Sequence, residues 1–461
     1  MSSRRRRVLA VWRRTIALSW PVATEELFST LMRTTDIVIT ALFSPAAVAA
    51  IGLADLYAQV AMRFGTGLGG GAIALSSQDT GREATTDRDE AITQALLVGA
   101  LLGLPLVAFG LLLSEWAIAV LGADPRTVAL GSTYLAIVLL STPLRIVGLV
   151  GARSLQGTGD TRTPMYVNIA SYLVNMVGSV ALGLGVVVPR LGIVGVGIGT
   201  AAGNTVAAVG VLLAIRAPSV EAGFTRPESP VITKQLLAIS APQVAEGLVT
   251  TLVYFPFNAL LLSFGTSVNA GYQIGRRLYQ QIGGPLYRAY GTTASIIVGQ
   301  SLGRGDPDKA RFRGYAHAAF SVATLAGAGG VLFFGAEPLV GLLTDSAATT
   351  GYAVGFARTF AVSMVFIGLF FSFAGALRGA SETRVPFVAR LIGLLVFFLG
   401  FSFVVGTVLD YGVLGTYGGI FLMYVWWGSA VAWSFVRGEW ALRATDMMAA
   451  RADETDDGVT G

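Results

Sequence analysis

The chain has 461 residues, 54% of them hydrophobic and 13% charged, with a mean hydropathy of +0.67, about half the charge of an average soluble domain; this excludes an ordinary soluble fold and indicates a membrane protein. There are no cysteines and one histidine, His317, which excludes disulfides and thiolate chemistry and leaves no histidine cluster for a metal, so His317 is read as a packed side chain and no cofactor is expected. The net charge of +5 does not argue for nucleic acid, because the basic residues fall on alternate loops.

Apolar runs of about 20 residues, the length that crosses a bilayer, recur twelve times, at 15–42, 46–77, 91–113, 127–151, 163–187, 191–216, 235–263, 268–300, 312–333, 351–376, 384–409 and 411–438. All are predicted helical, since a helix satisfies its own backbone in lipid and the runs are too long for barrel strands. A basic arm, 1–14, carries six arginines. The run after it holds Glu25, Glu26 and Asp36 and lacks a small-residue cleavage site, so it reads as a retained helix rather than a signal peptide. Pro21 removes a backbone hydrogen bond there and is expected to bend helix one.

On that helix Glu25, Ser29, Met32 and Asp36 follow i, i+4, i+7, i+11 and form one polar stripe. An ionisable group inside a spanning helix is a functional candidate by default. The competing reading is an ion pair of Arg33 with Asp36 or Glu26. Helices two and eight are the least apolar. On helix two, Asp55, Gln59 and Arg63 are spaced for an intrahelical ladder. On helix eight, which also carries Arg276, the residues Arg277, Gln281 and Arg288 share a face that lines a cavity, unless its arginines neutralise Glu246 and other acids. Tyr134, Tyr172 and Met176 supply adaptable apolar surface or simple packing.

Arginine and lysine concentrate on the amino terminus and every second connection, which puts both termini in the cytoplasm by the positive-inside rule. A polar segment, 217–234, with Pro218, Pro227 and Pro230, links the halves. The tail, 441–461, turns acidic at Asp453, Glu454, Asp456 and Asp457 and is predicted disordered.

The halves repeat each other. Residues 154–164, Ser-Leu-Gln-Gly-Thr-Gly-Asp-Thr-Arg-Thr-Pro, return 222 residues later as Ala-Leu-Arg-Gly-Ala-Ser-Glu-Thr-Arg-Val-Pro at 376–386. Pro21 and Glu25 match Pro242 and Glu246, Gln78 and Gly81 match Gln300 and Gly303, and Gly192, Gly195 and Gly199 match Gly412, Gly415 and Gly419. The fold expected is an all-α integral membrane protein of twelve transmembrane helices. They form two six-helix lobes, 15–216 and 235–440, related by a pseudo-twofold axis along the membrane normal with a cavity between them near the midplane.

Six plus six helices, the Leu-x-Gly-x-Gly-Asp-Thr-Arg-x-Pro turn, the Gly-Gln-x-Leu-Gly-x-Gly-Asp turn at 299–306 and the phrase Thr35-Asp36-Ile37-Val38 together resemble the multidrug and toxic compound extrusion (MATE) transporters, over about residues 15–440. The resemblance implies a monomeric antiporter in the inner or plasma membrane. It would expel small amphipathic compounds in exchange for protons or sodium ions. In the prokaryotic branch with an amino-lobe coupling site, an aspartate on helix one works with an Asn-x-x-x-Asp pair on helix five. Carried over, the aspartate is Asp36 and the asparagine Asn175; Ser179 stands where the second aspartate would be. Tyr134 and Thr200 match the family's residues on helices four and six. Secondary coupling candidates are Glu25, Glu26 and Glu246, and the substrate cavity would include Met32, Tyr172, Met176, Arg277, Gln281 and Arg288.

Two alternatives remain. A lipid-linked oligosaccharide flippase of the same superfamily would use Arg276, Arg277 and Arg288 to bind a pyrophosphate. A membrane-embedded enzyme would need clustered acids or a nucleophile with a base, and the sequence offers neither. The glycine turns lack a following Gly-Lys-Ser/Thr, so a nucleotide-driven pump is unsupported.

Overall fold

The structure is a computed structural model that describes residues 3–186 and 189–459. It is built of helices α1 (Ser3–Ala41), α2 (Pro45–Arg82), α3 (Thr85–Ala119), α4 (Pro125–Leu140), α5 (Thr142–Thr158), α6 (Arg162–Gly178), α7 (Ile193–Ile215), α8 (Pro230–Ser263), α9 (Thr266–Gly303), α10 (Pro307–Gly341), α11 (Ala347–Gly379), α12 (Arg384–Ile392), α13 (Val413–Arg437) and α14 (Glu439–Val459). Two of them run on as π-helix, α6 through Ser179–Gly183 and α12 through Gly393–Phe401 and Val404–Val408. Such π segments are rare and favour functional sites.

Among the described residues nine helices are long and apolar enough to cross a membrane, and a tenth span is the α4–α5 pair, bent by 46°. The bend falls where Pro143 enters the first turn of α5, a position that cannot continue the hydrogen-bond ladder of α4. The two remaining expected spans, α1 and α9, have 39 and 38 residues. They fall short in apolarity, because they carry the carboxylates and arginines singled out in the sequence.

By compactness the chain divides into two units: Met1–Ala23 with Ala245–Ala450, and Thr24–Val244 with Arg451–Gly461. Two divisions lie inside α1 and α8, two residues past Pro21 and Pro242, and a third inside α14 after Ala450. A proline ends a continuous hydrogen-bond ladder, so the two ends of α1 and of α8 pack as separate pieces.

Part of the tail expected to be disordered is helical. From Glu439 it forms α14, with Trp440, Ala444, Met448 and Arg451 buried along one face, the spacing of an amphipathic helix. The Trp440 indole stacks on Phe435 with centroids 4.8 Å apart and donates to the Phe435 carbonyl at 2.9 Å. Arg443 pairs with Glu382. The acids after Arg451 drew the disorder reading, and the apolar stripe before them decides the outcome.

His317 is buried as expected for a packed side chain. Its Nδ1 lies 3.1 Å from the Thr15 hydroxyl and its Nε2 lies 3.0 Å from the Tyr290 carbonyl.

Candidate functional site

In the unit formed mainly by Thr24–Val244, α6 and α7 approach closely. A Cβ at Gly199 would lie 2.7 Å from the Ser179 nitrogen and 3.0 Å from the Asn175 carbonyl; one at Gly203 would lie 2.9 Å from the Ser171 carbonyl. Small residues at this spacing are what lets membrane helices touch backbone to backbone. The consequence is that Thr200 is held against Asn175.

A hydrogen-bonded chain follows. Asn175 Nδ2 donates to Thr200 Oγ1 at 3.2 Å, and Thr200 donates to the Val196 carbonyl at 3.1 Å. Tyr134 is buried on α4. Ser179, the first residue of the π turn, sends its hydroxyl to Asp36 Oδ1 at 2.9 Å and also lies 3.4 Å from Asn175 Oδ1. Asn175, Ser179 and Tyr134 are buried and Asp36 half-buried. Of the five residues predicted from sequence to act together, Asp36, Ser179, Asn175 and Thr200 are joined by hydrogen bonds. Arg33 is exposed and, among the described residues, forms no ion pair with Asp36. Asp55 and Gln59, spaced with Arg63 for a ladder on helix two, are both exposed.

A hydroxyl has one proton to give. When Asp36 is charged Ser179 donates to it; when Asp36 carries a cation or a proton, Ser179 can turn to Asn175. The network therefore has two hydrogen-bonding arrangements.

The sequence repeat does not carry this network into the other unit. The positions that match Asp36, Tyr134, Asn175, Ser179 and Thr200 are Phe257, Phe356, Phe397, Phe401 and Ile420. There Phe257 stacks on Phe398 with centroids 3.7 Å apart, and Tyr272 meets Phe356 edge-on at 5.3 Å. One unit holds the polar chain and the other an aromatic core.

Glu25 and Glu246 are both buried and differ in their partners. Glu25 accepts from Asn168 Nδ2 at 2.9 Å and Gln156 Nε2 at 3.4 Å. Glu246 accepts from Arg378 at 2.8 Å on each oxygen and is ion-paired with Arg390, whose Nε lies 2.9 Å from Oε1, so two guanidinium groups face it. The sequence reading put forward Arg276, Arg277 and Arg288 to neutralise it; Arg378 and Arg390 are the ion-pair partners seen. Arg276 instead lies over the Tyr254 ring at 4.2 Å, and Arg288 over Tyr287 at 5.4 Å. Sequence reasoning missed Gln156, Asn168, Arg378 and Arg390, although the first and third sit at matching places in the repeated turn.

Of the predicted cavity residues, Met32, Tyr172 and Met176 are half-buried in the unit of Thr24–Val244, while Arg277 and Gln281 are exposed and Arg288 half-buried in the unit of Ala245–Ala450. A crevice of about 550 Å³ in that latter unit is lined by Pro256, Leu260, Leu395, Phe403 and Thr407, among others, and by none of the predicted residues. Pro21 lies inside α1, and Glu26 is half-buried beside Glu25. Among the described residues no three histidine, aspartate or glutamate side chains gather as a metal site.

The MatE family model matches the chain twice, over residues 21–181 and 242–404. This chain belongs to the MatE family. Membership makes it a membrane transport protein rather than an enzyme, and the two matches of the MatE model begin on Pro21 and Pro242, the prolines that mark the repeat. The MatE chain is 26% identical over 454 residues to a probable multidrug resistance protein NorM of Rhodopseudomonas palustris, covering 92% of this chain and 91% of that one. It is 28% identical over 396 residues to a probable NorM of Bradyrhizobium diazoefficiens, covering 82% and 83%. Its fold superposes on a crystal structure of a MATE protein in the bent conformation with a TM-score of 0.86, at 17% identity, covering 98% of this chain and all of that one.

Proposed function

We propose that this MatE protein is a secondary antiporter that exports small amphipathic organic compounds in exchange for protons or sodium ions. The observation that carries the reading is the Asp36–Ser179–Asn175–Thr200 network. It is a carboxylate without an ion-pair partner, wired to side chains with two hydrogen-bonding arrangements, inside one unit only. Binding of a cation at Asp36 redirects Ser179 and biases α1 and α6 toward a different packing, which couples the ion to the transport cycle. One charge crossing the membrane supplies about 2.3 kcal/mol per 100 mV, enough to bias that cycle.

The NorM names of the full-length relatives support organic compounds as cargo. The remaining features follow the same reading: twelve spans in two lobes, both termini in the cytoplasm, a monomer in the cell membrane, and the amino-lobe coupling branch of the family. In that branch Ser179 replaces the second carboxylate, so Asp36 acts with a hydroxyl partner rather than an acid. Met32, Tyr172 and Met176 contribute apolar contact to the cargo, and Arg277, Gln281 and Arg288 polar contact. Pro21 gives α1 its bend.

The test is uptake of a fluorescent amphipathic cation into inside-out proteoliposomes under an imposed proton or sodium gradient, with wild type and Asp36→Asn. Gradient-driven uptake lost in the variant is expected. Uptake that survives in Asp36→Asn would move the coupling site, and none in wild type would favour a lipid-linked oligosaccharide flippase.

A further inference from the structure

The repeat makes Glu25 and Glu246 equivalent, and it does the same for their partners. Gln156 matches Arg378 and Asn168 matches Arg390, each 222 residues apart. One geometry, a buried glutamate held from α5 and α6 or from α11 and α12, thus exists twice. In one copy both partners are guanidinium groups at 2.8 and 2.9 Å. In the other both are neutral amides.

The charged groups around Glu25 are few. Glu26 adjoins it on α1, Arg153 lies on α5 and Tyr172 on α6; α2 passes with Gly69 against the Arg153 side chain. Arg153 acts on Glu25 from a distance, because its Nη1 donates to Gln156 Oε1 at 3.0 Å. That bond also orients the amide. With its oxygen turned to Arg153, Gln156 presents its nitrogen to Glu25, and Asn168 does the same. A sodium ion needs oxygen ligands, and both neighbours offer N–H groups instead. A proton needs no further ligand.

We propose that Glu25 is a second proton-binding site of this transporter, distinct from the Asp36 network and selective for protons over sodium, and that its repeat partner Glu246 has been converted by Arg378 and Arg390 into a fixed ion pair. The role of the proton in transport rests on the antiporter reading; the site itself does not.

The experiment is a pH titration of the full chain in lipid nanodiscs, following the carboxylic-acid C=O stretch by infrared difference spectroscopy. Wild type, Glu25→Gln, Asp36→Asn and Glu246→Gln are compared, each checked for folding by size-exclusion chromatography. The expected result is a protonation event lost in Glu25→Gln, kept in Asp36→Asn and Glu246→Gln, and unmoved by sodium. Gln156→Arg provides a second route, since it recreates the partner found in the other copy and should remove the same event. A spectrum unchanged by Glu25→Gln and by Gln156→Arg, or an event displaced by sodium, overturns the proposal while leaving the Asp36 reading intact. An event present at Glu25 in a protein that shows no gradient-driven transport keeps the site and removes the antiporter.

Discussion

Arg451 Nη2 lies 3.0 Å from Asp79 Oδ1, and both side chains are wholly buried. The same guanidinium reaches Gln78 Oε1 at 3.0 Å and the Gln235 side chain. A charge shut away from water is tolerated only with a partner and hydrogen bonds, so the end of α14 is part of the folded unit rather than an appendage.

Replacing Arg451 by Met, or ending the chain after Ala450, leaves Asp79 with Arg82 alone, at 2.7 Å. Removing one partner of a buried pair costs about 3 kcal/mol at the lower end of the measured range. Thermal unfolding in detergent should show a clearly lowered midpoint for both variants. An unchanged midpoint would mean that the tail is not docked.

Ser179→Ala removes the one donor to Asp36 without touching the carboxylate. A hydrogen bond to a charged group contributes about 1.5–3 kcal/mol. Gradient-driven uptake is expected to fall roughly 10- to 100-fold, together with a lowered melting temperature of the folded protein. Wild-type uptake would exclude Ser179 from the coupling network.

Gly199→Ala places a methyl group 2.7 Å from the Ser179 nitrogen. Overpacking of this kind costs about 1–3 kcal/mol, and it separates Thr200 from Asn175. Both stability and uptake should drop, whereas Gly52→Ala, whose Cβ meets nothing within 4 Å, should be neutral in both assays.

Arg390→Ala takes away one of the two cations on Glu246 and an arginine that lies 4.6 Å over the Trp427 ring. A destabilisation of about 3 kcal/mol is expected, with the proton or sodium dependence of residual uptake unaltered. A changed ion dependence would give Glu246 a coupling role.

Asp124 caps α4: it accepts from the Thr127 hydroxyl at 2.5 Å and from the Thr127 and Arg126 amides at 3.2 and 3.0 Å. The Thr127 hydroxyl, followed by its amide, holds the Asp124 carboxyl below the usual carboxylate range. A lowered value in the folded state means that the cap stabilises fully above the unfolded aspartate value of about 3.9. The stabilisation is lost as the pH falls through the lower folded value. Asp124→Ala should therefore differ from wild type in melting temperature near neutral pH and converge with it in strong acid.

Sequence by itself determined the repeat and the positions of the apolar runs, because each is written in one dimension: a period and a length in residues. Asp36 was readable as a carboxylate inside a spanning helix, whereas Asn175, Ser179, Tyr134 and Thr200 were picked out by the family resemblance. Only the tertiary structure decided what each acid faces. Arg33, three residues from Asp36 on the same helix, does not pair with it, while Arg378 and Arg390, more than a hundred residues from Glu246, do. The tail shows the same limit: local composition marked it as disordered, and the stripe from Trp440 to Arg451 folds because α14 buries that face and brings Asp79 to Arg451. Whether a buried carboxylate is a fixed charge or a group that can exchange a proton depends on which side chains stand within 3–4 Å of it, and that is set by how helices distant in sequence pack together.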